Sequence, residues 1–407
     1  MFWSKGVSMQ VGARRVILGA ATVMMCVTGA AVTGGLRAEA SAEAGQASPA
    51  QAPGGQAAQM AEQVFKDIQV LKGITVDEFM DTMGMFAAAT TKDCTGCHAP
   101  EILTGSRDAF AKPTPMIQRA RQMTVMMNTI NRNFFGNQKR VTCYTCHSAT
   151  SAPQRVANLS IQYGMPPAEN PDRLEFIALP DRAKDIDGLF AKYIQAIGGA
   201  QPWAAVKSLT AAGTYAGWDT SHVEVPVDFY GQAPNQFTTI VHRKEGNNIW
   251  VFNGTNAWFA GVDAAVNNFT LNYTGGNLTG ARIDAMVQLA PQTIQKAFAS
   301  WQVSEDLVDD EPVTVLQGTN KGELPVNLYF NDAGLLVRLV RWNDTAVGPV
   351  PTQFDFFDYR EVGGIRKPFQ WVRAWTNNRV VFKLKDVRIN APVEASRFAR
   401  PEPVVLK

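Results

Sequence analysis

The spacing of apolar residues changes once along the chain, and this change predicts two parts with different secondary structure. From about residue 60 to residue 149, apolar residues recur every three or four positions, as on one face of a helix. Beyond about residue 208 they alternate with polar residues and are interrupted by glycine, asparagine and proline, as in strands joined by turns. We therefore expect an α+β multidomain protein, with helices first and an antiparallel sheet afterwards.

Two helices with methionine-rich faces are predicted in the first part. Residues 75–78 form a capping box that starts one helix, and Thr114-Pro115 provides the N-cap and first turn of the other. The apolar residues that share a helix face are Val76, Phe79, Met80, Met83 and Ala87 in the first, and Met116, Ala120, Met123, Met127, Ile130 and Phe134 in the second. Methionine stripes of this kind ordinarily fill a core.

The second part is predicted to be a large curved antiparallel sheet with a few helices. A short helix at 186–196 ends at Gly198-Gly199, and a longer one is expected at 284–300 with Pro291 inside it. Nine runs have the composition of strands: 223–230, 237–243, 249–253, 313–317, 326–330, 335–342, 353–359, 369–375 and 380–389. Their short connections favour a sheet that wraps partly around the longer helix.

The N-terminus has the features of an export signal. Three basic residues precede an uncharged stretch at 16–36, and the small-residue pattern Ala38-Glu39-Ala40 follows. Residues 1–40 are therefore predicted to be a signal peptide that directs the protein to the periplasm, with an uncleaved membrane anchor as the alternative. The remaining predicted segments are a flexible linker at 41–60, a helical domain at 61–150, a Pro-rich linker at 151–184 and a β-rich domain at 185–407.

Composition excludes some classes of function. The chain of 407 residues has 38 Lys+Arg against 36 Asp+Glu, and 46% of its residues are hydrophobic. This balance is not that of a disordered polyelectrolyte or of a basic nucleic-acid-binding protein, so no nucleic-acid partner is expected. The motifs G-x-S-x-G and H-E-x-x-H and a Gly-rich phosphate loop are also absent from the sequence, and no catalytic residues are predicted.

The cysteines and histidines carry the clearest chemical signal. Apart from Cys26 in the export segment, all cysteines fall in Cys94-Thr95-Gly96-Cys97-His98 and Cys143-Tyr144-Thr145-Cys146-His147. C-x-x-C-H is the attachment signal for c-type haem, in which two thioethers hold the porphyrin and the histidine binds iron. A zinc site, a pair of disulfides or a thioredoxin-like dithiol would not require a histidine after each pair. The sequence therefore predicts two covalently bound haem c groups.

Methionine is the available donor for the sixth ligand of each iron. Seven of the fourteen methionines lie between Met80 and Met127, whereas the other histidines, His222 and His242, lie in the β-rich part. A soft thioether opposite histidine favours the ferrous state and raises the reduction potential.

The helical part resembles two haem segments of the tetrahaem cytochrome c subunit of photosynthetic reaction centres. The resemblance covers about 90 residues, in the stretches 64–72, Phe79-x-x-x-Met83, 123–131 and 141–147. It implies that Met83 and His98 bind the first iron and that Met123 and His147 bind the second. Neighbouring methionines that could replace them are Met80, Met85 and Met126. The chain lacks two further C-x-x-C-H motifs, and residues 133–136 contain no histidine, which favours a free-standing dihaem carrier over a reaction-centre subunit.

The β-rich part resembles bacterial outer-membrane lipoprotein carrier proteins in the stretches 335–338, 354–359 and 368–369. This resemblance implies an antiparallel β half-barrel whose concave face holds acyl chains. Trp250, Phe252, Trp258 and Phe259 would line that cavity, or would belong to an ordinary sheet core.

These observations together predict a periplasmic dihaem cytochrome that transfers single electrons between redox proteins, some of them membrane-bound. Its β-rich domain would dock a partner or hold a lipid or another apolar ligand. Two alternatives stay open: a dihaem peroxidase-like enzyme, and a lipid carrier with accessory haems.

Overall fold

The computed structural model describes residues 58–153, 155, 185–262 and 268–405. The predicted signal peptide or anchor, almost all of the 41–60 linker and most of the 151–184 linker lie outside these residues, and the predicted domain boundaries stay predictions. None of the helices in the described ranges combines the length and apolar character of a membrane span.

The helical part has two long helices and several short ones. The α-helices are α1 (Ala61–Val64), α2 (Val76–Thr90), α3 (Pro115–Phe134) and α4 (Cys143–His147), with 3₁₀ turns at Cys94–Gly96, Pro100–Thr104 and Arg107–Ala111. Both predicted N-caps are present, because Thr75 Oγ1 accepts from the Glu78 amide at 3.4 Å and Thr114 Oγ1 accepts from the Ile117 amide at 3.1 Å. The capping box predicted at 75–78 is only half formed in the described residues, since the Glu78 side chain does not return a bond to the Thr75 amide.

The second part has three α-helices and thirteen strands among the described residues. The helices are α5 (Ile186–Ala196), α6 (Ala200–Ala204) and α7 (Gly275–Leu289), and 3₁₀ turns cover Trp218–Thr220, Pro291–Ala297 and Ala395–Phe398. The strands are β1 (Ser208–Gly217), β2 (Val225–Gln232), β3 (Gln236–Arg243), β4 (Gly246–Phe252), β5 (Ala257–Ala260), β6 (Leu271–Asn272), β7 (Ser300–Val308), β8 (Glu311–Thr319), β9 (Val326–Phe330), β10 (Leu336–Thr345), β11 (Gly348–Val362), β12 (Ile365–Trp375) and β13 (Asn378–Ile389).

The strands form one antiparallel sheet in the order β6-β5-β4-β3-β2-β1-β13-β12-β11-β10-β9-β8-β7. Each strand pairs with its neighbour in sequence except where β1 pairs with β13, from Leu209 opposite Ile389 to Gly217 opposite Val380. This single long-range pairing joins two meanders, and within the described residues the sheet is open between β6 and β7. The predicted α+β class, with a helical part before a large open antiparallel sheet, is confirmed.

One face of the sheet carries the main hydrophobic core, and α5, α7 and the 291–297 turn pack against it. Helix residues such as Tyr193, Ile283 and Ile294 lie in the same cluster as Leu209, Val227, Leu328, Leu339 and Phe382 from the strands. The predicted bounds of the helix at 284–300 were wrong. Helix α7 ends at Leu289, and Pro291 starts a separate 3₁₀ turn. Strand β7 begins at Ser300.

The tip of the β10–β11 hairpin completes a core in the helical part. Val347 is 0% exposed, and with Val350 it packs against Met85 of α2 and Met127 of α3. Gly84 of α2 meanwhile lies so close to Thr376, in the β12–β13 turn, that a Cβ at this position would collide with the threonine hydroxyl. The helical part is therefore held by the sheet and does not close its core alone.

Candidate haem-binding segments and the sheet cavity

The first Cys-x-x-Cys-His segment is a single tight turn. Asp93 caps it, since its Oδ1 accepts from the Gly96 amide at 3.1 Å, and the His98 amide donates to the Cys94 carbonyl at 2.9 Å. Cys94 is exposed and Cys97 is half-buried. One turn of chain thus presents two thiols and an imidazole within five consecutive residues.

The second segment forms α4 and is anchored to α3. Thr142 caps α4 by accepting from the Thr145 amide at 3.2 Å. The buried Asn131 of α3 bonds Val141 twice, with Nδ2 donating to its carbonyl at 2.7 Å and Oδ1 accepting from its amide at 2.9 Å. This pair of hydrogen bonds fixes the start of the segment against the methionine-rich helix.

Both motif histidines have the hydrogen bond that a metal-ligating histidine normally makes. Nδ1 of His98 lies 2.9 Å from the Phe110 carbonyl oxygen, and Nδ1 of His147 lies 3.1 Å from the Thr150 carbonyl oxygen. A carbonyl only accepts, so each Nδ1 carries the proton and each Nε2 keeps its lone pair. This is the tautomer required for an iron ligand, and the backbone contact fixes the ring orientation.

Two thiols of the motifs differ from those of a reactive dithiol. Burial raises the pKa of Cys97 and raises the pKa of Cys143 to about 11, whereas reactive dithiols have lowered values. None of the four motif cysteines forms a disulfide in the part of the chain that the structure describes. In the same ranges, no three His, Cys, Asp or Glu side chains gather into a metal-binding group. The donor set of each segment, two thiols and a histidine, fits covalent attachment of haem c.

The candidate methionines differ in their surroundings. Met83 is half-buried beside the cluster of Ala61, Leu71 and Ile74, and Met123 is half-buried on α3. Met85 is 5% exposed and belongs to the core against the β10–β11 hairpin, so its sulfur is the least available of the set. Met80 is half-buried and Met126 is 45% exposed. The assignment of Met83 and Met123 as iron ligands stays a prediction.

Large apolar side chains are unusually exposed around these segments. Leu103 is 78% exposed and Phe134 is 76% exposed, and Val125, Phe135 and Tyr144 also face solvent. Exposed apolar side chains that form a large patch usually mark a binding region. A porphyrin with its large apolar faces would cover such side chains.

Three acidic residues lie where α2 meets the sheet. Asp77 accepts from the Thr274 amide at 2.5 Å and from the Thr274 hydroxyl at 2.8 Å, and Asp81 accepts from Asn277 at 2.8 Å and Asn343 at 2.6 Å. Burial raises the pKa of Asp77, raises that of Asp81 to about 6 and raises that of Glu78 to about 7. The sequence alone does not indicate this junction, because the hydrogen-bond donors to Asp77 and Asp81 lie about 200 or more residues away in the chain.

A cavity of about 100 Å³ lies between the core face of the sheet and α7. Trp250, Phe252 and Trp258 line it as predicted, but Phe259 does not and instead packs on Trp250 with 4.9 Å between ring centroids. Two arginines also line it. Arg341 forms two bonds to Asp284 of α7, at 3.0 and 2.8 Å.

The other cavity arginine, Arg373, was not predicted. It stands at an inward position of β12 between Trp371 and Trp375, and its guanidinium carbon lies 4.8 Å from the Trp375 ring centroid. A charged residue within an otherwise apolar, alternating face was the available signal. The two remaining histidines contact other side chains of the β-rich part: His242 Nε2 lies 2.8 Å from Asp228 Oδ2, and His222 packs on Trp218.

Two solved structures are similar to about half of this chain at low sequence identity. A DUF1329 family protein from Desulfovibrio piger covers 53% of this chain and 97% of its own, at 9% identity and a TM-score of 0.37. A LolA superfamily protein from Nitrosomonas europaea covers 52% of this chain and 96% of its own, at 11% identity and a TM-score of 0.34.

The sequence comparisons concern the helical part. The photosynthetic reaction center cytochrome c subunit of Thermochromatium tepidum is 32% identical over 101 residues, which are 23% of this chain and 23% of that relative. The chain thus spans about a quarter of the length of this curated relative. Residues 7–169, which include both Cys-x-x-Cys-His segments, match the family model of the photosynthetic reaction centre cytochrome C subunit.

Proposed function

We propose that this protein is an exported dihaem c-type cytochrome that transfers single electrons between redox proteins of the periplasm or its membranes. The observation that carries the proposal is the pair of Cys-x-x-Cys-His turns, in each of which the histidine Nδ1 is held by a backbone carbonyl and the cysteines form no disulfide. The similarity of residues 7–169 to reaction-centre cytochromes supports it.

Each haem would be held by the residues of one segment and by one helix. Cys94 and Cys97 would form the first pair of thioethers, and Cys143 and Cys146 the second. His98 and Met83 would bind the first iron. His147 and Met123 would bind the second. Haem supplies a reversible one-electron couple, and the polypeptide fixes the ligands and excludes water.

Counting covalent haems in the purified protein tests this proposal. We expect two haems per chain that stay bound through acidified organic extraction. Changing Cys94 and Cys97 together to alanine should leave one haem, and so should changing Cys143 and Cys146. Mutation of Cys26, in the predicted export segment, is the matched control for cysteine loss and should leave two. A count of one or none in mature wild-type protein would contradict the proposal.

Spectroscopy separates the electron carrier from a peroxidase-like enzyme. Two low-spin irons that do not react with peroxide are expected for a carrier, because both helices offer a methionine. A high-spin iron together with peroxide-dependent oxidation of a donor would instead assign an enzyme.

We propose in addition that the β-rich part binds an apolar ligand. The cavity between the sheet and α7, lined by aromatic side chains from β2, β3, β4, β11 and β12, supports this role. Mass spectrometry of organic extracts from the purified protein should detect a copurifying apolar molecule at near-stoichiometric amount. A docking role alone predicts extracts free of such a molecule.

A further inference from the structure

The sheet cavity has one positive charge in excess. The cavity walls formed by the described residues include two guanidinium groups, those of Arg341 and Arg373, and one carboxylate, that of Asp284. Both oxygens of Asp284 are bonded to Arg341, from Nε at 3.0 Å and from Nη2 at 2.8 Å. Asp284 also lies near enough to favour the charge of Arg373, but its bidentate bonds go to Arg341, so one carboxylate is shared by two guanidinium groups.

Arg373 is held in place by aromatic rings that supply no hydrogen-bond acceptor. Its guanidinium carbon lies 4.8 Å from the ring centroid of Trp375 and 5.6 Å from that of Phe354. Nε of Arg373 is shielded from water and has no hydrogen-bond partner among the residues that the structure describes. Stacking on rings fixes the plane of the group but leaves Nε without an acceptor, which is costly for a desolvated charge.

A second buried basic side chain lies on the same strand. Lys367 of β12 is 3% exposed, and its Nζ donates to the neutral Gln288 Oε1 of α7 at 3.1 Å. Burial lowers the pKa of Lys367 to about 7 and also lowers that of Arg373, in each case because the charged form is desolvated. An anion bound nearby would favour the charged form of both groups.

We propose that the cavity binds a single-chain amphiphile whose carboxylate pairs with Arg373 and whose alkyl chain lies among the aromatic residues. This proposal rests on the proposed ligand-binding role of the β-rich part and adds the chemical class of its ligand. A carboxylate matches the fork of a guanidinium with two parallel hydrogen bonds. The volume of about 100 Å³ holds only a short alkyl segment next to the carboxylate, because pockets that enclose whole ligands usually have about 300–1,000 Å³, so the end of a longer chain would extend out of the cavity.

The test compares octanoate with octan-1-ol, which has the same chain but no charge. Isothermal titration calorimetry of the full-length purified protein should show that octanoate binds about 10- to 100-fold more tightly than the alcohol. Arg373→Met should lower octanoate affinity by a similar factor and leave alcohol affinity unchanged, whereas Arg373→Lys should retain part of the preference. The matched control is Arg366→Met, on the same strand but exposed, which should change neither.

The outcomes distinguish this proposal from the role on which it rests. Equal affinity for octanoate and the alcohol would overturn the carboxylate assignment and leave the apolar-ligand role intact. Extraction of phosphatidylglycerol from vesicles without octanoate binding would replace a single-chain ligand with a diacyl one. Binding of neither probe and no lipid would overturn both. The comparison of the two probes on wild type needs no variant, so it decides the question even if Arg373→Met does not fold.

Discussion

Replacing Asp81 by asparagine probes the electrostatics of the junction between α2 and the sheet. Its Oδ2 accepts hydrogen bonds from Asn277 and Asn343, and burial raises its pKa from the ordinary 3.8 to about 6. An asparagine at this position keeps one acceptor oxygen for both donors and carries no charge. The substitution therefore removes the desolvated charge while retaining the hydrogen bonds.

The expected effect follows from the difference in proton affinity between the folded and unfolded states. Because the folded pKa is raised, the contribution of Asp81 to stability is fully present below about pH 3.8 and is lost as the pH rises through 6. At 1.36 kcal/mol per tenfold change, the total is about 3 kcal/mol, of which about 1.5 kcal/mol is lost between pH 5 and pH 8. We expect the variant to be more stable than wild type at pH 8 by about 1–3 kcal/mol.

Urea denaturation followed by far-ultraviolet circular dichroism at pH 5, 6, 7 and 8 measures this effect. The free energy of unfolding of wild type should fall as the pH rises. That of the variant should also fall, but less steeply, because Asp77 and Glu78 also have raised pKa values. Asp108→Asn is the matched surface control. Lys66 lowers the pKa of Asp108, so this group titrates below the measured range. A variant that is less stable than wild type at pH 8, or a difference that does not vary with pH, would refute the reasoning.

Three further predictions concern the methionine ligands, the contact between Gly84 and Thr376, and the ion pair of Arg341. Met83→Ala and Met123→Ala should each remove one methionine-ligand band from the near-infrared magnetic circular dichroism spectrum, and an unchanged spectrum excludes that methionine as a ligand. Gly84→Ala should lower the free energy of unfolding in urea by about 1–3 kcal/mol, because the new methyl group meets Thr376, and Thr376→Ala should restore part of the loss. Arg341→Met should lower it by about 3–5 kcal/mol, because the carboxylate of α7 is left unpaired, and a loss under 1 kcal/mol would contradict that pairing.

Local sequence signals predicted much of the fold. Helix α5 has the predicted bounds, and all nine predicted strands overlap observed ones, since alternation and turn residues act over a few positions. β1 was missed because Ser208–Gly217 is rich in small residues, and its extended form depends on pairing with β13 about 170 residues later. Helix α7 starts earlier than predicted because Gly280 weakens the helical pattern there, although it permits close packing on Arg341.

Of the candidate sites, those built from neighbouring residues could be predicted from the sequence, and those built from distant residues could not. The cysteine–histidine segments could be recognised because five consecutive residues carry their chemistry. The role of Asp81 could not be recognised, since its hydrogen-bond donors Asn277 and Asn343 belong to the other part of the chain. Arg373 could not either, since its significance depends on which other charges the fold brings to the cavity. Composition and residue spacing do not show which distant donors or charges the fold brings next to a buried charged group.

The insertion of Val347 into the helical part has a consequence for the order of biosynthesis. Helices α2 and α3 lack part of their shared core until the hairpin that follows them by more than 200 residues has emerged from the ribosome. Until then, the two cysteine segments stay on an incompletely packed chain and remain open to the machinery that would modify them. Packing of the hairpin then completes the core, and the two parts should melt in a single cooperative transition.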